Sequence, residues 1–267
     1  MNATYSLDWF YSVLNEYAPI ELSHKLIEKG DYDNSGILIK THDYVRKVIF
    51  ALDLSIETIK RAKRLGADTV VTHHPAIYTP VKSLIDDSLD NGAVTLAVKS
   101  NLNVISMHLN LDVADGGIDE SLALGLGAKS YKIIDKLTEK HGYGREFKIE
   151  NQTLSSFVKG IKKNFATDKV LSYGGRNTQI TSCASFCGAG ASTVLDALSK
   201  GIIDADVIVT SDTAHHHVKS ILEAGKCLIV LSHYVAEEYG FKKYFEKITE
   251  AVRSKLKVEY FDDKRFR

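Results

Sequence analysis

Short β-branched runs separated by helical patterns recur along the chain and predict an α/β fold. The clearest run, Thr69-Val70-Val71-Thr72, has the unbroken apolar character of a buried parallel strand. A helix that begins after Ser55, a good N-cap, and ends at Gly66 precedes it. Near the start of the chain, apolar residues at three- and four-residue steps predict helices across residues 5–29, with a break at Pro19.

A strand–helix–strand–helix–strand pattern occurs twice, which favours a pseudo-repeated α/β architecture. The alternative is that the two copies match by chance, because any two α/β units look alike. The three strands of each copy are predicted at Val48–Asp53, Asp68–Thr72 and Val104–Met107, then at Ala184–Gly188, Asp206–Thr210 and Cys227–Leu231. The other predicted elements are a strand at Ile37–Ile39, a loop and helix at Val81–Ser100, helices at Ile118–Leu126, Thr193–Lys200 (capped by Ser192) and Tyr244–Leu256, a helix ending near Gly225, and a last strand at Lys257–Phe261.

The domain bounds that follow are residues 1–128 and 129–267. The polar segment from Gly142 to Thr153 is predicted to link the two halves. We expect the halves to be interlinked rather than independent.

The composition is that of an ordinary soluble globular protein, and we expect a cytoplasmic location. Lys plus Arg and Asp plus Glu each number 34, so the zero net charge gives no argument for binding nucleic acid or a membrane. The chain start lacks a signal-peptide pattern, and no apolar stretch is long enough to span a membrane. Cys183, Cys187 and Cys227 lack C-x-x-C spacing, which favours reduced core thiols over a disulfide or a zinc knuckle.

Histidines and carboxylates follow the predicted parallel strands, whose carboxyl ends are where ligands bind in open α/β sheets. In each half a strand ends at a histidine with a carboxylate four residues later. Within a helix that spacing sets both groups of the pair on one face. The candidate residues are His73, His74, His108, Asp112, His233 and Glu237.

Imidazole and carboxylate without thiolate suit Zn, Fe, Mn, Co or Ni held with open positions for water. Five or six such ligands exceed the needs of one catalytic ion and suit two divalent ions bridged by a carboxylate. The alternative for each residue alone is a solvated or capping side chain. The turn from Gly188 to Ser192 precedes a helix and either binds an anion or only makes a tight strand-to-helix connection.

These residues strongly resemble the motifs of the GTP cyclohydrolase 1 type 2 family, the Nif-three-like proteins. The resemblance runs nearly end to end in an unchanged order. It is carried by Thr72-His73-His74-Pro75, by residues 106–112 with Gly116-Gly117, by residues 232–237, by Tyr32-Asp33-Asn34-Ser35-Gly36 and by Gly142-Tyr143-Gly144-Arg145. Leu109 departs from the family pattern, which usually has a threonine there, and Thr210-Ser211-Asp212 departs from its Thr-Gly-Asp/Glu turn.

The resemblance implies two interlinked α/β domains with a dinuclear metal site in the cleft between them, and a ring-shaped homohexamer. By that resemblance the metal ligands would be His73, His74, Asp112, His233 and Glu237, with His108 beside them. His216 falls where the family has a histidine, whereas His215 and His217 look like solvated extras.

The leading hypothesis is a metal-dependent hydrolase in which paired ions activate water against a nucleotide such as GTP. Asp112 and Glu237 are candidate bridging ligands, and His108 or His216 is a candidate proton carrier. One alternative is phosphoester hydrolysis, to which paired metals are equally suited. Another is a metal-binding or regulatory scaffold without turnover. Nucleic-acid binding lacks support, because the basic residues are scattered apart from short clusters such as Lys60–Arg64.

Overall fold

The computed structural model describes residues 4–85 and 91–267. The chain forms two compact units, Met1–Ala114 with Phe241–Arg265 and Asp115–Gly240 with Phe266–Arg267. Each unit is therefore assembled from two separate stretches of the chain, whereas the sequence pattern divides the chain once, between residues 128 and 129. Residues 86–90, part of the predicted loop and helix at Val81–Ser100, lie outside the described residues.

The first unit contains a mostly parallel sheet flanked by helices. The strands in the first part of the unit are β1 (Tyr5–Ser6), β2 (Gly36–Ile39), β3 (Tyr44–Val45), β4 (Lys47–Ala51), β5 (Thr69–Thr72) and β6 (Asn103–Ser106). Of these, β1 and β3 pair with each other in a separate two-stranded sheet. The helices of the unit are α1 (Leu7–Tyr17), α2 (Ile20–Lys29), α3 (Ile56–Leu65), α4 (Gly92–Lys99) and α5 (Leu109–Val113).

The second unit repeats this plan with an extended sheet. Its helices are α6 (Ile118–Gly125), α7 (Leu154–Asn164), α8 (Ala191–Ser199) and α9 (His215–Glu223), followed by the long α10 (His233–Val252), whose residues from Phe241 onward belong to the first unit. Its strands are β7 (Lys132–Lys136), β8 (Gly142–Thr153), β9 (Val170–Tyr173), β10 (Gln179–Ser185), β11 (Val207–Thr210) and β12 (Cys227–Leu231). Strand β13 (Lys257–Tyr260) belongs to the first unit, and a short 3-10 helix at Lys264–Phe266 ends the chain.

The two sheets confirm the predicted repeat. In the first unit the strand order is β13-β4-β5-β6-β2, and β4, β5 and β6 are parallel neighbours connected through α3 and α4. In the second unit the order is β7-β8-β10-β11-β12-β9, and β10, β11 and β12 are parallel neighbours connected through α8 and α9. Each unit thus contains the strand–helix–strand–helix–strand arrangement. The middle strand of each parallel triplet, β5 and β11, is buried at every position, as expected for a strand covered on both faces.

Local signals along the first repeat match the elements that form. Ser55 Oγ accepts a hydrogen bond from the Thr58 amide and starts α3, and Gly66 ends it in the left-handed conformation. The buried face of α3 presents Ile59 and Ala62 to a core cluster with Val70 and Val104. The apolar side of the amphipathic helix α3 therefore packs against the sheet.

Three predicted features of the second half were wrong. The segment Gly142–Thr153 is not a linker but strand β8, paired with β10 and β7. Helix α8 begins at Ala191 with Gly190 as its N-cap, so Ser192 lies inside the helix. The tail helix begins at His233 rather than at Tyr244. The first error arose because a half-exposed strand with glycines and charged residues has the composition of a loop.

Cys183, Cys187 and Cys227 are buried and form no disulfide with one another, as predicted. Among the described residues, no helix is both long enough and apolar enough to cross a membrane.

Candidate metal site

Three histidines meet at the carboxyl edge of the first sheet. Thr72 and Ser106 are register partners at the ends of β5 and β6, so His73, His74 and His108 follow at the same edge. Their ring centroids lie 4.9 Å apart for His73 and His74, 5.2 Å for His73 and His108, and 6.1 Å for His74 and His108. The predicted convergence of these residues therefore occurs within the first unit.

His73 is fully buried and has a defined ring orientation. Its Nδ1–H donates to the carbonyl oxygen of Met107 at 2.8 Å, because a carbonyl only accepts. In the neutral ring Nε2 then carries the lone pair, and it lies 3.5 Å from Asp112 Oδ1. Asp112 reaches this position because α5 begins directly after His108, and its amide donates to the His108 carbonyl at 3.0 Å. An imidazole lone pair and a buried carboxylate that face each other are suitable ligands for a cation.

His74 and His108 each donate Nδ1–H to a carboxylate. The partners are Asp53 Oδ1 for His74 and Asp33 Oδ1 for His108, both at 2.7 Å. Metal-binding histidines commonly hold their second ring nitrogen in this way, which orients Nε2 toward the ion and raises its basicity. All three rings of this edge therefore have the tautomer that a metal site requires.

Asp33 is held as a carboxylate by its surroundings. Burial by itself would raise its pKa, but hydrogen bonds from His108, from Ser23 Oγ at 2.6 Å and from Ser35 Oγ at 2.7 Å outweigh burial and lower the pKa to about 2. Asp33 is thus ionised at neutral pH and keeps the proton of His108 on Nδ1.

The donor set in the first unit fits a divalent ion. The nearest ligand atoms of His73, His108 and Asp112 all lie within 4.8 Å of one another. Two imidazoles and one carboxylate are the donors expected for Zn, Fe, Mn, Co or Ni. A cation bound among these buried groups would also compensate the charge of the Asp112 carboxylate.

A second donor pair begins α10 in the second unit. His233 Nε2 lies 3.0 Å from Glu237 Oε2, and His233 Nδ1–H donates to Asp212 Oδ2 at 2.5 Å. The helical turn that separates residues four apart brings the two groups together, as predicted. Glu237 is only 3% exposed. This pair repeats the carboxylate–histidine arrangement of the first unit.

The turn before α8 leaves space for Glu237. Gly188 has φ +57°, and a Cβ built on it would lie 2.6 Å from Glu237 Oε1. A Cβ on Gly190 would lie 2.5 Å from the Phe186 side chain. The close approach of neighbouring side chains therefore accounts for both glycines, which agrees with the tight-turn interpretation of this motif.

The histidine run at residues 215–217 has a different setting. His215 and His216 are exposed in the first turn of α9, and the His216 ring lies 4.1 Å from that of His217. His217 Nδ1 accepts a hydrogen bond from the Ala214 amide at 3.2 Å and so caps the helix. A catalytic role for His216 stays a prediction.

The sequence-based list of candidates lacked the three acids that orient the histidines, namely Asp33, Asp53 and Asp212. A weak signal was present for two of them, because Asp53 and Asp212 each come two residues after a parallel strand, β4 and β11, at the edge where ligands bind. Asp33 precedes β2, whose antiparallel pairing with β6 brings its start to the end of β6.

Comparison with known proteins agrees with these motifs. A family model, Duf34/NIF3 (NGG1p interacting factor 3), matches residues 6–265. A Clostridium perfringens protein named GTP cyclohydrolase 1 type 2 homolog is 28% identical over 247 residues, 91% of either chain. A Helicobacter pylori protein named GTP cyclohydrolase 1 type 2 is 25% identical over 252 residues, 93% of either chain.

Solved structures share the fold. A hypothetical protein from Staphylococcus aureus aligns with a TM-score of 0.83 at 25% identity, over 96% of both chains. A Bacillus cereus protein related to NIF3 aligns with a TM-score of 0.84 at 17% identity, over 97% of both chains. Because the family model spans nearly the whole sequence, the chain belongs to the Duf34/NIF3 family.

Proposed function

We propose that this protein is a metal-dependent hydrolase that acts on a nucleotide such as GTP. Its ligands would be His73, His74 and Asp112 in the first unit and His233 and Glu237 in the second, holding two divalent ions as the family resemblance implies. The observation that carries the proposal is the shared orientation of the histidines. His73, His74, His108 and His233 each donate Nδ1–H to a carboxylate or a carbonyl, which leaves Nε2 as the ring nitrogen that could bind an ion.

The ions would supply an activated water and stabilise negative charge that develops on the substrate. The residues of the chain have the complementary tasks. Asp33 holds the proton of His108 on Nδ1, so that Nε2 is the ring nitrogen that can accept or deliver a proton. Asp112 and Glu237, both buried, provide the negative charge that would balance bound cations.

The nucleotide substrate is proposed from the names of the relatives, which include GTP cyclohydrolase 1 type 2. Fold alone does not determine the substrate, so the proposal must be tested on several chemistries. The homohexamer that the resemblance implies is proposed as the assembly, and light scattering on the purified chain would measure its mass.

The test is turnover by metal-depleted protein reloaded separately with Zn, Mn, Fe or Co. The substrates are GTP, dinucleotides and simple phosphoesters. We expect metal-dependent opening of the guanine imidazole ring of GTP, the reaction that the family resemblance implies, and we expect it to be lost in His73→Ala and in Glu237→Ala. His24→Ala, which removes an exposed histidine of α2, is the control and should keep full activity.

Each alternative has its own outcome in the same experiment. Metal-dependent cleavage of phosphoesters without ring opening of GTP would replace the proposal with a phosphoesterase. Tight binding of metal, lost in the same variants, with no turnover of any substrate would replace it with a metal-binding scaffold. Failure of any of these metals to bind would overturn the proposed metal site itself.

A further inference from the structure

Two half-exposed tyrosine rings lie beside His108 in the first unit. Tyr32 is 51% exposed and Tyr78 is 49% exposed, and their ring centroids lie 5.0 Å apart with the planes at 72°. The Tyr78 ring also meets the His108 ring at 88°, with 6.3 Å between centroids. Burial of an aromatic ring is favourable, and a half-exposed ring still has surface to bury. Two such rings beside candidate catalytic groups therefore offer a surface for a ligand.

The backbone that carries Tyr78 is fixed by the turn that contains Tyr32. Tyr32 Oη donates to the Tyr78 carbonyl oxygen at 2.5 Å, and Asn34 Nδ2 donates to the Ile77 carbonyl oxygen at 2.6 Å. Two side chains of one turn therefore hold the segment that follows His74 and Pro75. The Tyr78 ring is positioned before any ligand arrives, which reduces the entropy lost on binding.

The same turn also fixes His108. Ser35 Oγ accepts a hydrogen bond from the His108 amide at 3.1 Å, and Asp33 accepts one from its ring. The turn at residues 32–35 thus sets the distance between an aromatic surface and an imidazole of the candidate site. This arrangement suits a ligand whose flat ring lies on the tyrosines while part of the same molecule lies against His108.

Tyr32 contributes mainly an aromatic surface. The Tyr32 hydroxyl is already used as a donor to the Tyr78 carbonyl, so what Tyr32 offers a ligand is the surface of its ring. Aromatic surfaces stack on planar heterocycles with little dependence on their substituents, and such stacking contributes ~1–3 kcal/mol per ring.

We propose that Tyr78, supported by Tyr32, stacks on a planar heteroaromatic ring of the substrate. This inference rests on the proposed function, because it assigns the ring-binding part of the same site. It restricts the substrates to molecules that carry such a ring, and it distinguishes them from ring-free phosphates and sugar phosphates.

The test is equilibrium binding to the metal-loaded full chain. The probes are GMP, AMP and FMN, together with ribose 5-phosphate, which has the sugar and phosphate but no ring. The variants are Tyr78→Leu, which keeps an apolar side chain without a ring, and Tyr78→Phe, which keeps the ring without the hydroxyl. Metal content and oligomeric mass are measured for each variant.

We expect the wild-type chain to bind at least one ring-bearing probe more tightly than ribose 5-phosphate. Tyr78→Leu should weaken that probe roughly 5- to 150-fold, which is the stacking energy expressed as a ratio of affinities. Tyr78→Phe should stay within about twofold of wild type, since the stacking surface remains. Neither variant should change the affinity for ribose 5-phosphate or the metal content.

Four results would overturn the inference. Two concern the wild-type chain: it binds all four probes with equal affinity, or it binds none of them. The other two concern Tyr78→Leu: its affinity for the ring-bearing probes is unchanged, or its affinity falls by the same factor for these probes and for ribose 5-phosphate. If Tyr78→Leu changed the oligomeric mass but not the affinity for any probe, the tyrosine rings would be assigned to a contact between copies of the chain instead. Because turnover is not measured, a chain that stacks rings without hydrolysis supports this inference while contradicting the proposed function.

Discussion

Asp33 Oδ1 lies 2.7 Å from His108 Nδ1, although 75 positions separate the two residues in the sequence. The carboxylate is buried, is ionised at neutral pH and receives two further hydroxyl hydrogen bonds. Its position depends on β2, the only antiparallel strand beside β6 among the described residues, which returns the chain to the edge where His108 lies. The orientation of His108 therefore depends on a side chain outside the histidine motif.

We predict that Asp33→Asn lowers metal affinity or turnover about 10- to 100-fold, the usual effect of losing an outer carboxylate partner. The amide has no negative charge and can turn its NH2 group toward Nδ1, so it holds the proton there less firmly than the carboxylate does. Calorimetric titration with Zn or Co and steady-state assays would measure the change. Asp168→Asn removes a fully exposed carboxylate and should have no effect. Unchanged affinity and unchanged turnover in Asp33→Asn would contradict the role of Asp33.

Gly188→Ala should displace Glu237. The new Cβ would lie 2.6 Å from Glu237 Oε1, and φ at this position is +57°. Gly201→Ala is a matched control, because Gly201 has φ +66° and a Cβ there meets nothing within 4 Å. Both variants should lose about 1 kcal/mol or more of stability from backbone strain. Only Gly188→Ala should also reduce bound metal, as measured by elemental analysis, and equal metal content in the two variants would refute this explanation.

Arg145 and Asp119 form a buried ion pair in the second unit. Arg145 Nη1 donates to Asp119 Oδ2 at 2.9 Å, and Asp119 Oδ1 accepts from the Cys187 amide at 3.1 Å. We expect Arg145→Met to cost about 3–5 kcal/mol in the free energy of unfolding, because Asp119 would be left buried without its cation. The double variant Arg145→Met, Asp119→Leu should recover part of this loss. Denaturant unfolding measures both, and additive losses would argue against a coupled pair.

Asp206 is expected to make stability depend on pH. Burial alone would raise its pKa, but Asp206 Oδ2 accepts hydrogen bonds from the amides and hydroxyls of Thr181 and Ser182, and these lower its pKa below 3.8. A lowered folded-state pKa means that this stabilisation is present above the unfolded value and is lost as the pH falls through the folded value. Asp206→Asn should therefore lose about 2 kcal/mol near neutral pH.

The difference in unfolding free energy between Asp206→Asn and wild type should shrink below about pH 4, where the unfolded carboxyl begins to protonate. Urea unfolding of metal-free protein at several pH values would show this convergence. A difference that stays constant down to pH 2 would mean that the charge of Asp206 does not contribute. Asp196→Asn, in an exposed pair with Lys200, is the control.

The elements that could be predicted from sequence are those with a strong local pattern. The strand at Thr69–Thr72 and the helix from Ser55 to Gly66 were confirmed because buried strands and capped helices have distinctive residues at fixed positions. Strand β8 was not predicted, since only pairing with β10 and β7 makes its polar segment regular. Long-range pairing overrides composition in such segments.

The same limit applies to the candidate site. His73, His74 and His108 could be placed together because parallel strands bring their carboxyl ends to one edge. The acids that orient them could not, since their contacts depend on strand order and on side-chain direction. Asp68 and Asp206 show the same dependence outside the site, because they precede equivalent strands of the repeat. Asp68 accepts a hydrogen bond from the Arg46 amide, and Asp206 accepts hydrogen bonds from the amides of Thr181 and Ser182. Only the strand order brings these groups together.

Helix α10 limits how the chain can be divided. Its first eight residues belong to the second unit, whereas Phe241 and Tyr244 pack in the first, where the Tyr244 hydroxyl donates to the Leu14 carbonyl at 3.0 Å. A fragment truncated after Ala114 would lack these aromatic rings and the edge strand β13 beside β4. An excised first unit would therefore need residues 241–265 grafted back by a designed connection, and proteolytic nicking between the units should release no separately folded N-terminal piece.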